Sequence, residues 1–200
     1  TIEKLEEEKV DSRQEDKTIK HFTIQVQPDI GGTLLKLDSV TIVNPSTMLR
    51  AGNHKFIDKK VNIELGKRDR LLLVGPNGIG KTTLLEKLAT GHAKGEHTKE
   101  GLQIGYYRQD FSNLDFTKTV HEALSNVMDG IEITEQHLRA HAAGFLIDAD
   151  ILKAKIGNLS EGQKGLVAFA MISLQKPGLL ILDEPTNHIN FRHIPVIAKA

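Results

Sequence analysis

The residues with the most chemical content fall in three short runs. The first is Gly75-Pro76-Asn77-Gly78-Ile79-Gly80-Lys81-Thr82, a G-x-x-x-x-G-K-[ST] pattern. Glycines there let backbone N–H groups converge on phosphate oxygens, because no Cβ stands in the way. A helix starting at Lys81 turns its positive end toward the same anion. Lys81 can neutralise β- and γ-phosphates, and the Thr82 hydroxyl can ligate Mg²⁺. Thr83 completes the expected nucleotide-binding set. The second run is Leu179 to Leu182, closed by Asp183 and Glu184. A carboxylate at the end of a hydrophobic strand suits Mg²⁺ held through water, which is the role expected of Asp183. Glu184 is placed to polarise an attacking water as general base. Taken alone, an Asp-Glu turn before Pro185 and Thr186 also reads as the cap of a following helix, a reading that Lys81 upstream makes the weaker one. The third run is Leu159-Ser160-Glu161-Gly162-Gln163. Ser160 with Gln163 three residues on is a capping box, an ordinary helix start. The same hydroxyl, the Gly162 N–H and the helix N-terminus also make a second anion site.

These residues need elements to hold them. Leu71 to Val74 is a short continuous apolar run ending at Gly75, the pattern of a strand buried on both faces. A glycine turn and a helix from Lys81 to Thr90 follow, the opening of a phosphate-binding α/β unit. Gln103 to Tyr107 and Leu179 to Leu182 read as further strands, the second fully buried. Upstream, Phe22, Ile24 and Val26 alternate with polar residues as in a half-buried strand, and Gly31-Gly32 turns the chain. Leu34 to Val43 alternates as well, with Leu35 and Leu37 inward, then Val40 and Ile42 after a bulge. Asn44 to Asn53 is a loop, and Val61 to Leu65 alternates again. From Phe111 to Gly157 the texture is helical, with starts at Thr119, Thr134 and Asp148 or Asp150. A helix over about 161–175 stops at Pro177-Gly178, and the last ten residues read as another. Residues 1–20 are charged, with a thin apolar stripe of Ile2, Leu5 and Val10, and predict a helix in need of a partner.

Composition narrows the class. Lys plus Arg is 26 and Asp plus Glu is 26, so the net charge of zero excludes a histone-like basic protein and an acidic disordered tail. At 39% hydrophobic and 26% charged residues, the chain can bury a core. No cysteine occurs, which removes disulfides, thiolate metal sites and a catalytic thiol, and fits a reducing compartment. No run approaches the roughly 20 apolar residues of a spanning helix. The start at Thr1, without a methionine or signal pattern, predicts a piece of a longer polypeptide.

In this order and spacing the three runs resemble the ABC ATPase domain: its Walker A at 75–82, its signature at 159–163 and its Walker B at 182–185. The 23 residues from Ser160 to Asp183 resemble the family's interval, and Gln109 matches its Q-loop glutamine. The resemblance implies an α/β P-loop fold with an N-terminal antiparallel β layer and a helical subdomain at about 111–175. It also implies ATP and Mg²⁺ as ligands. Residues Gly75 to Thr83 would hold the nucleotide. Asp183, Thr82 and Gln109 would serve the metal, with Gln109 sensing it and the γ-phosphate, and Glu184 would activate water. Two such domains sandwich ATP head to tail, so Ser160, Gly162 and Gln163 would face nucleotide held by a second ABC domain. The run Asp183-Glu-Pro-Thr-Asn-His-Ile189 resembles that of the ABC-F subfamily, cytoplasmic two-domain proteins that act on the ribosome near the tRNA exit site. On that resemblance 1–20 is the end of the interdomain linker, 21–200 is the second ATPase domain, and its final strands and switch histidine lie beyond Ala200.

Some positions depart from the family pattern. Glu161 stands where glycine is usual in the signature, and Asn190 where the D-loop has aspartate. Asn44 falls near the adenine-stacking aromatic, with His54 or Phe56 as substitutes. His188 is expected to order its turn. Three functions stay open: an ABC-F translation factor, the ATPase subunit of a membrane transporter, and a nucleic-acid maintenance ATPase. The third is disfavoured by the short interval from Gln109 to Leu159. Tyr106 and Tyr107 are expected in the strand or core. Arg13, Lys17 and Lys20 are interspersed with Glu15 and Asp16, a solvated face more than an RNA site.

Overall fold

The structure is a computed structural model and describes residues 17–44, 55–128 and 134–200. The loop expected at Asn44 to Asn53 and the helix expected at 1–20 therefore fall largely outside the described residues, as does His54. Where the latter enters, at Lys17 to Lys20, the chain is not helical, and Ile19 is buried at 3% exposure.

A three-stranded antiparallel sheet forms the N-terminal layer, with residues 35–43 in the centre between 56–65 and 96–98. β1 (Leu35–Val43) pairs with β2 (Phe56–Leu65), Leu35 opposite Leu65 and Val43 opposite Phe56. The register shifts between Leu37 and Ser39, which is the bulge that the broken alternation predicts. Leu35 and Leu37 are buried as expected. Beyond the bulge the deeply buried residue is Val43, while Val40 and Ile42 are only half-buried. β3 (Glu96–Thr98) closes the other edge of β1.

A second sheet pairs β4 (Ile104–Tyr107) with β5 (Leu179–Leu182) in parallel, Tyr107 opposite Leu182. Parallel neighbours need a long crossover, and here it is the helical block. α2 (Val120–Val127) starts on a complete Thr119–Glu122 capping box, α3 (Glu135–Gly144) on Thr134, α4 (Ala149–Lys153) on Asp148 and α5 (Glu161–Gln175) on a complete Ser160–Gln163 capping box. A 3-10 turn, Ile156–Asn158, precedes α5. α5 ends at a left-handed Lys176 just before Pro177. Its apolar face makes the main core: Val167 and Phe169 are wholly buried with Tyr107, Val120, Leu124 and Ile156. Each such side chain contributes about 1.5–3 kcal/mol relative to exposure. Phe169 stacks on Tyr107 at 4.7 Å between ring centres, fastening helix to strand.

Three expected strands come out differently. Phe22 to Val26 joins no ladder; Phe22 and Ile24 instead pack on the helical core, with Phe22 at 4.7 Å from the Phe145 ring. Leu71 to Val74 is not a strand among the described residues. Its side chains are exposed, Leu72 at 83% and Val74 at 79%. An apolar run becomes a buried strand only where neighbours cover both faces, and here no ladder links it to β5. β5 itself is less covered than its composition predicts, since Leu182 is exposed at 39%. The C-terminal helix is the single turn α6 (Ile194–Ile197).

Candidate functional site

The loop 75–80 feeds directly into α1 (Lys81–Thr90), as expected. Its bend depends on left-handed Gly78 (φ 79°) and Gly80 (φ 103°), angles that a side chain would strain. The Val43 N–H donates to the Ile79 carbonyl at 3.0 Å and ties the loop to the end of β1. Lys81 Nζ donates to the Gly75 carbonyl at 2.8 Å and the Pro76 carbonyl at 3.1 Å, so the ammonium sits folded back over the loop. Thr82 and Thr83 are exposed on the first turn of α1. Gly75, Ile79 and Gly80 are half-buried, whereas Pro76, Asn77 and Gly78 face solvent.

α1 is held over the parallel sheet by Leu84, Leu85 and Leu88, which cluster with Ile104, Tyr106 and Ile181. Arg108, just past β4, adds a polar strut: its guanidinium bonds Glu86 on α1 and Asp110 on the following loop. That contact holds the Asp110 carboxyl well down, at about 2. Nothing in the motif spacing singles out Arg108, because its partners are 22 residues upstream and two downstream.

The pairing of β4 with β5 brings Gln109 and Asp183 together at the same ends of adjacent strands. The Asp183 N–H donates to the Tyr107 carbonyl at 3.0 Å, and Gln109 is two residues beyond Tyr107. Asp183 is exposed by only 4%, and its Oδ2 has no hydrogen-bond partner. A buried carboxylate oxygen without a partner is costly, and it suits a cation or a water bound to one. Tyr106 lies next to it; burial, reinforced by the Asp183 charge, pushes the Tyr106 hydroxyl up to about 12. Glu184 turns away from the strand at φ 46° and stays exposed. Its Oε2 accepts from Asn187 Nδ2 at 2.5 Å, and its carbonyl accepts from the Asn187 N–H. Asn187, noted in the sequence only for its type, is thus what restrains the Glu184 side chain.

Ser160, Gly162 and Gln163 stand at the N-terminus of α5. Ser160 Oγ accepts from the Gln163 N–H, and Gln163 Oε1 accepts from the Ser160 N–H. With Asn190 and His193 they line a cleft of about 570 Å³ floored by Leu146, Ile151 and Leu166. His193 is buried, and burial lowers its pKa from the ordinary value. The small cavity at the phosphate loop is lined by Gly80 and Thr83 with Val43 and Phe56, and shares no residue with that cleft. Phe56 is exposed by 64%, so it is not core packing; Asn44 is half-buried. Tyr107 is a core residue, wholly buried, as the sequence predicts.

A family model described as ABC transporter matches residues 59–187. Protein GCN20 of Saccharomyces cerevisiae is 35% identical over 146 residues, which is 71% of this chain and 19% of that protein. ATP-binding cassette sub-family F member 3 of Mus musculus is 32% identical over 149 residues, 72% of this chain and 21% of that protein. The chain spans 19–28% of the length of the curated relatives it matches. The dimeric structure of MJ0796, a bacterial ABC transporter cassette, superposes with a TM-score of 0.62 at 21% identity, over 83% of this chain and 80% of that one. At that identity the likeness concerns the fold, which is that of a P-loop ABC cassette.

Proposed function

The chain belongs to the ABC transporter family of ATP-binding domains, and from that premise we propose that it hydrolyses ATP on residues 75–83, 109 and 183–184. Lys81, seated on the Gly75 and Pro76 carbonyls at the mouth of a loop with left-handed Gly78 and Gly80, carries this reading. The ammonium has three donors, and a triphosphate laid along the loop takes its charge without the side chain having to travel. The N–H groups opening α1 face the same anion. Asp183, Thr82 and Gln109 would hold Mg²⁺, which supplies charge neutralisation on the phosphate oxygens when bound. The partnerless, buried Asp183 Oδ2 fits that use. Glu184, held by Asn187, would accept the proton of the attacking water. Ser160, Gly162 and Gln163 line a cleft apart from the loop, which supports their use on nucleotide held by a second ABC domain. The MJ0796 cassette is itself dimeric.

Glu184→Gln tests the chemistry. The variant should keep ATP affinity and lose about 10²- to 10⁴-fold in turnover, the range of general-base catalysis. It should also accumulate the ATP-bound closed pair. Unchanged turnover would contradict the base assignment.

The finer placement is an ABC-F protein acting on the ribosome near the tRNA exit site, with residues 1–20 ending a linker and 21–200 forming the second of two ATPase domains in the cytoplasm. Asn187-His188 and the sub-family F relative support it. Co-sedimentation of the full-length Glu184→Gln protein with ribosomes in ATP is the expected result, and failure to co-sediment would remove it. The alternative is the ATPase subunit of a membrane transporter. It calls for a groove that receives a permease helix, and a cleft of about 240 Å³ where Thr90, Tyr106, Arg108, Leu114 and Met171 meet is the candidate for it. No helix of the described residues is long and apolar enough to cross a membrane, so a permease recovered with the protein is the observation that would favour this alternative.

A further inference from the structure

Glu161 is the one charged residue of the 159–163 run, and its side chain takes no part in the Ser160–Gln163 capping box. Its Oε2 lies 2.9 Å from Nδ1 of His188, a residue of the turn that follows Glu184. Other contacts fasten the same two segments. A Cβ placed on Gly162 would stand 3.3 Å from the His188 carbonyl oxygen, so the two backbones approach closely there. Next in line, Ile189 is buried against Gly165 of α5. The His188 ring is also tilted against Phe111 at 5.6 Å, and Phe111 is buried in the helical core. On its other side the turn holds the Glu184 carboxylate through Asn187. A continuous path therefore runs from Glu184 through Asn187 and His188 to Glu161, beside Ser160. Ser160 and Glu184 are expected to serve two different nucleotides, so this path joins two reaction sites inside one domain.

We propose that Glu161 and His188 are positioning residues, a polar latch that holds the Glu184 turn against the start of α5 and sets the direction of the Glu184 carboxylate. The latch deepens the ATPase reading above and depends on it. The Glu161 carboxylate stands 2.9 Å from His188 Nδ1, and that contact restrains the ring. The backbone turn that starts at Glu184 then has one orientation relative to Ser160. Opening the latch leaves the phosphate loop intact, so nucleotide binding survives, while alignment of the attacking water degrades.

The test is steady-state ATP turnover by the full protein carrying Glu161→Gly, Glu161→Gln, His188→Ala, and Glu161→Gly with His188→Ala. Glu161→Gly and His188→Ala should each lower kcat about tenfold with KM for ATP changed less than about twofold, the signature of an interaction used in the transition state. Glu161→Gln should stay within about twofold of the unmodified protein, because an amide of the same shape keeps a polar oxygen against His188 Nδ1. The double variant should be no slower than either single one, since both break the same contact. The Glu161 side chain is 69% exposed, so both Glu161 variants should fold; His188 is 24% exposed and packs on Phe111, so the melting temperature of each variant is measured and the Glu161 variants carry the test if His188→Ala is destabilised. In the nucleotide-free protein the His188 imidazole nitrogen signal should shift on Glu161→Gly. A kcat unchanged in both single variants, additive losses in the double variant, loss in Glu161→Gln equal to that in Glu161→Gly, or an unmoved His188 signal each overturns the latch. Absence of turnover in the unmodified protein would overturn the ATPase function and the latch together, whereas normal turnover in Glu161→Gly overturns the latch alone.

Discussion

Replacing Lys81 with alanine removes the ammonium seated on the phosphate loop, and its consequence can be worked from the geometry. Two of the three Nζ hydrogens already point at the Gly75 and Pro76 carbonyls, at 2.8 and 3.1 Å. The ammonium is therefore preorganised, and little rotamer entropy remains to be lost when phosphate arrives. A charge-assisted hydrogen bond is worth about 1.5–3 kcal/mol, and a unit charge pair at 4 Å near a protein surface attracts by about 4 kcal/mol before desolvation. A net loss of about 2–4 kcal/mol corresponds to a roughly 30- to 700-fold weaker Kd. Folding should barely notice. Water replaces the amine at the exposed Pro76 carbonyl, and a typical lost hydrogen bond costs only about 0.5–1.5 kcal/mol. The assay is titration calorimetry with a non-hydrolysable ATP analogue and Mg²⁺, with AMP as control, because AMP lacks the β- and γ-phosphates that Lys81 is expected to meet. Analogue binding within about threefold of the unmodified protein, a difference of well under 1.4 kcal/mol, refutes the phosphate role. An equal loss for AMP also refutes it, because the lysine would then be holding the fold of the loop and not the charge of the ligand.

Gly95→Ala tests the β layer that carries the loop. Gly95 is left-handed at φ 72°, and a Cβ there would stand 2.8 Å from the backbone nitrogen of Ser39 and 2.5 Å from its Oγ. Left-handed strain and overpacking together should cost about 2–5 kcal/mol. The melting temperature should fall on the order of 5–15 °C, and a change below about 2 °C would show that the close approach is soft. Alkaline titration tests the strand that ends at Gln109. Burial pushes Tyr107 from its ordinary 10.0 up to about 12, and Tyr106 likewise. Between those values the native state keeps protons that the unfolded chain has lost, so stability is full below pH 10 and falls toward pH 12. The chain has only two tyrosines, so tyrosinate absorbance reads them directly, and ionisation near 10 in the folded protein would contradict the burial.

Local chemistry explains which parts of the fold were legible in the sequence. Thr119, Thr134, Asp148 and Ser160 all cap helices where their spacing predicts, because a cap is closed within three residues and owes nothing to the rest of the chain. The bend of residues 75–80 belongs to the same class, since Gly78 and Gly80 take angles that few other residues tolerate. Strands were less legible. Phe22 to Val26 and Leu71 to Val74 have the right composition, but a strand exists only through its partner. One packs on helices and the other lies exposed.

By itself, the sequence determined the chemical inventory: a glycine loop with its lysine, two consecutive carboxylates after an apolar run, and a serine-capped helix between them. Tertiary structure decided who meets whom. Parallel pairing of β4 with β5 sets the strand end that leads to Gln109 beside Asp183, the Arg108 strut binds α1 to that strand end, and α5 meets the turn after Glu184 through Glu161 and His188. These partners are 22 to 75 residues apart along the chain, and no local propensity encodes a contact at that range. They come together because the apolar faces of α5 and α1 are buried against the strands, which fixes where the ends of those elements lie.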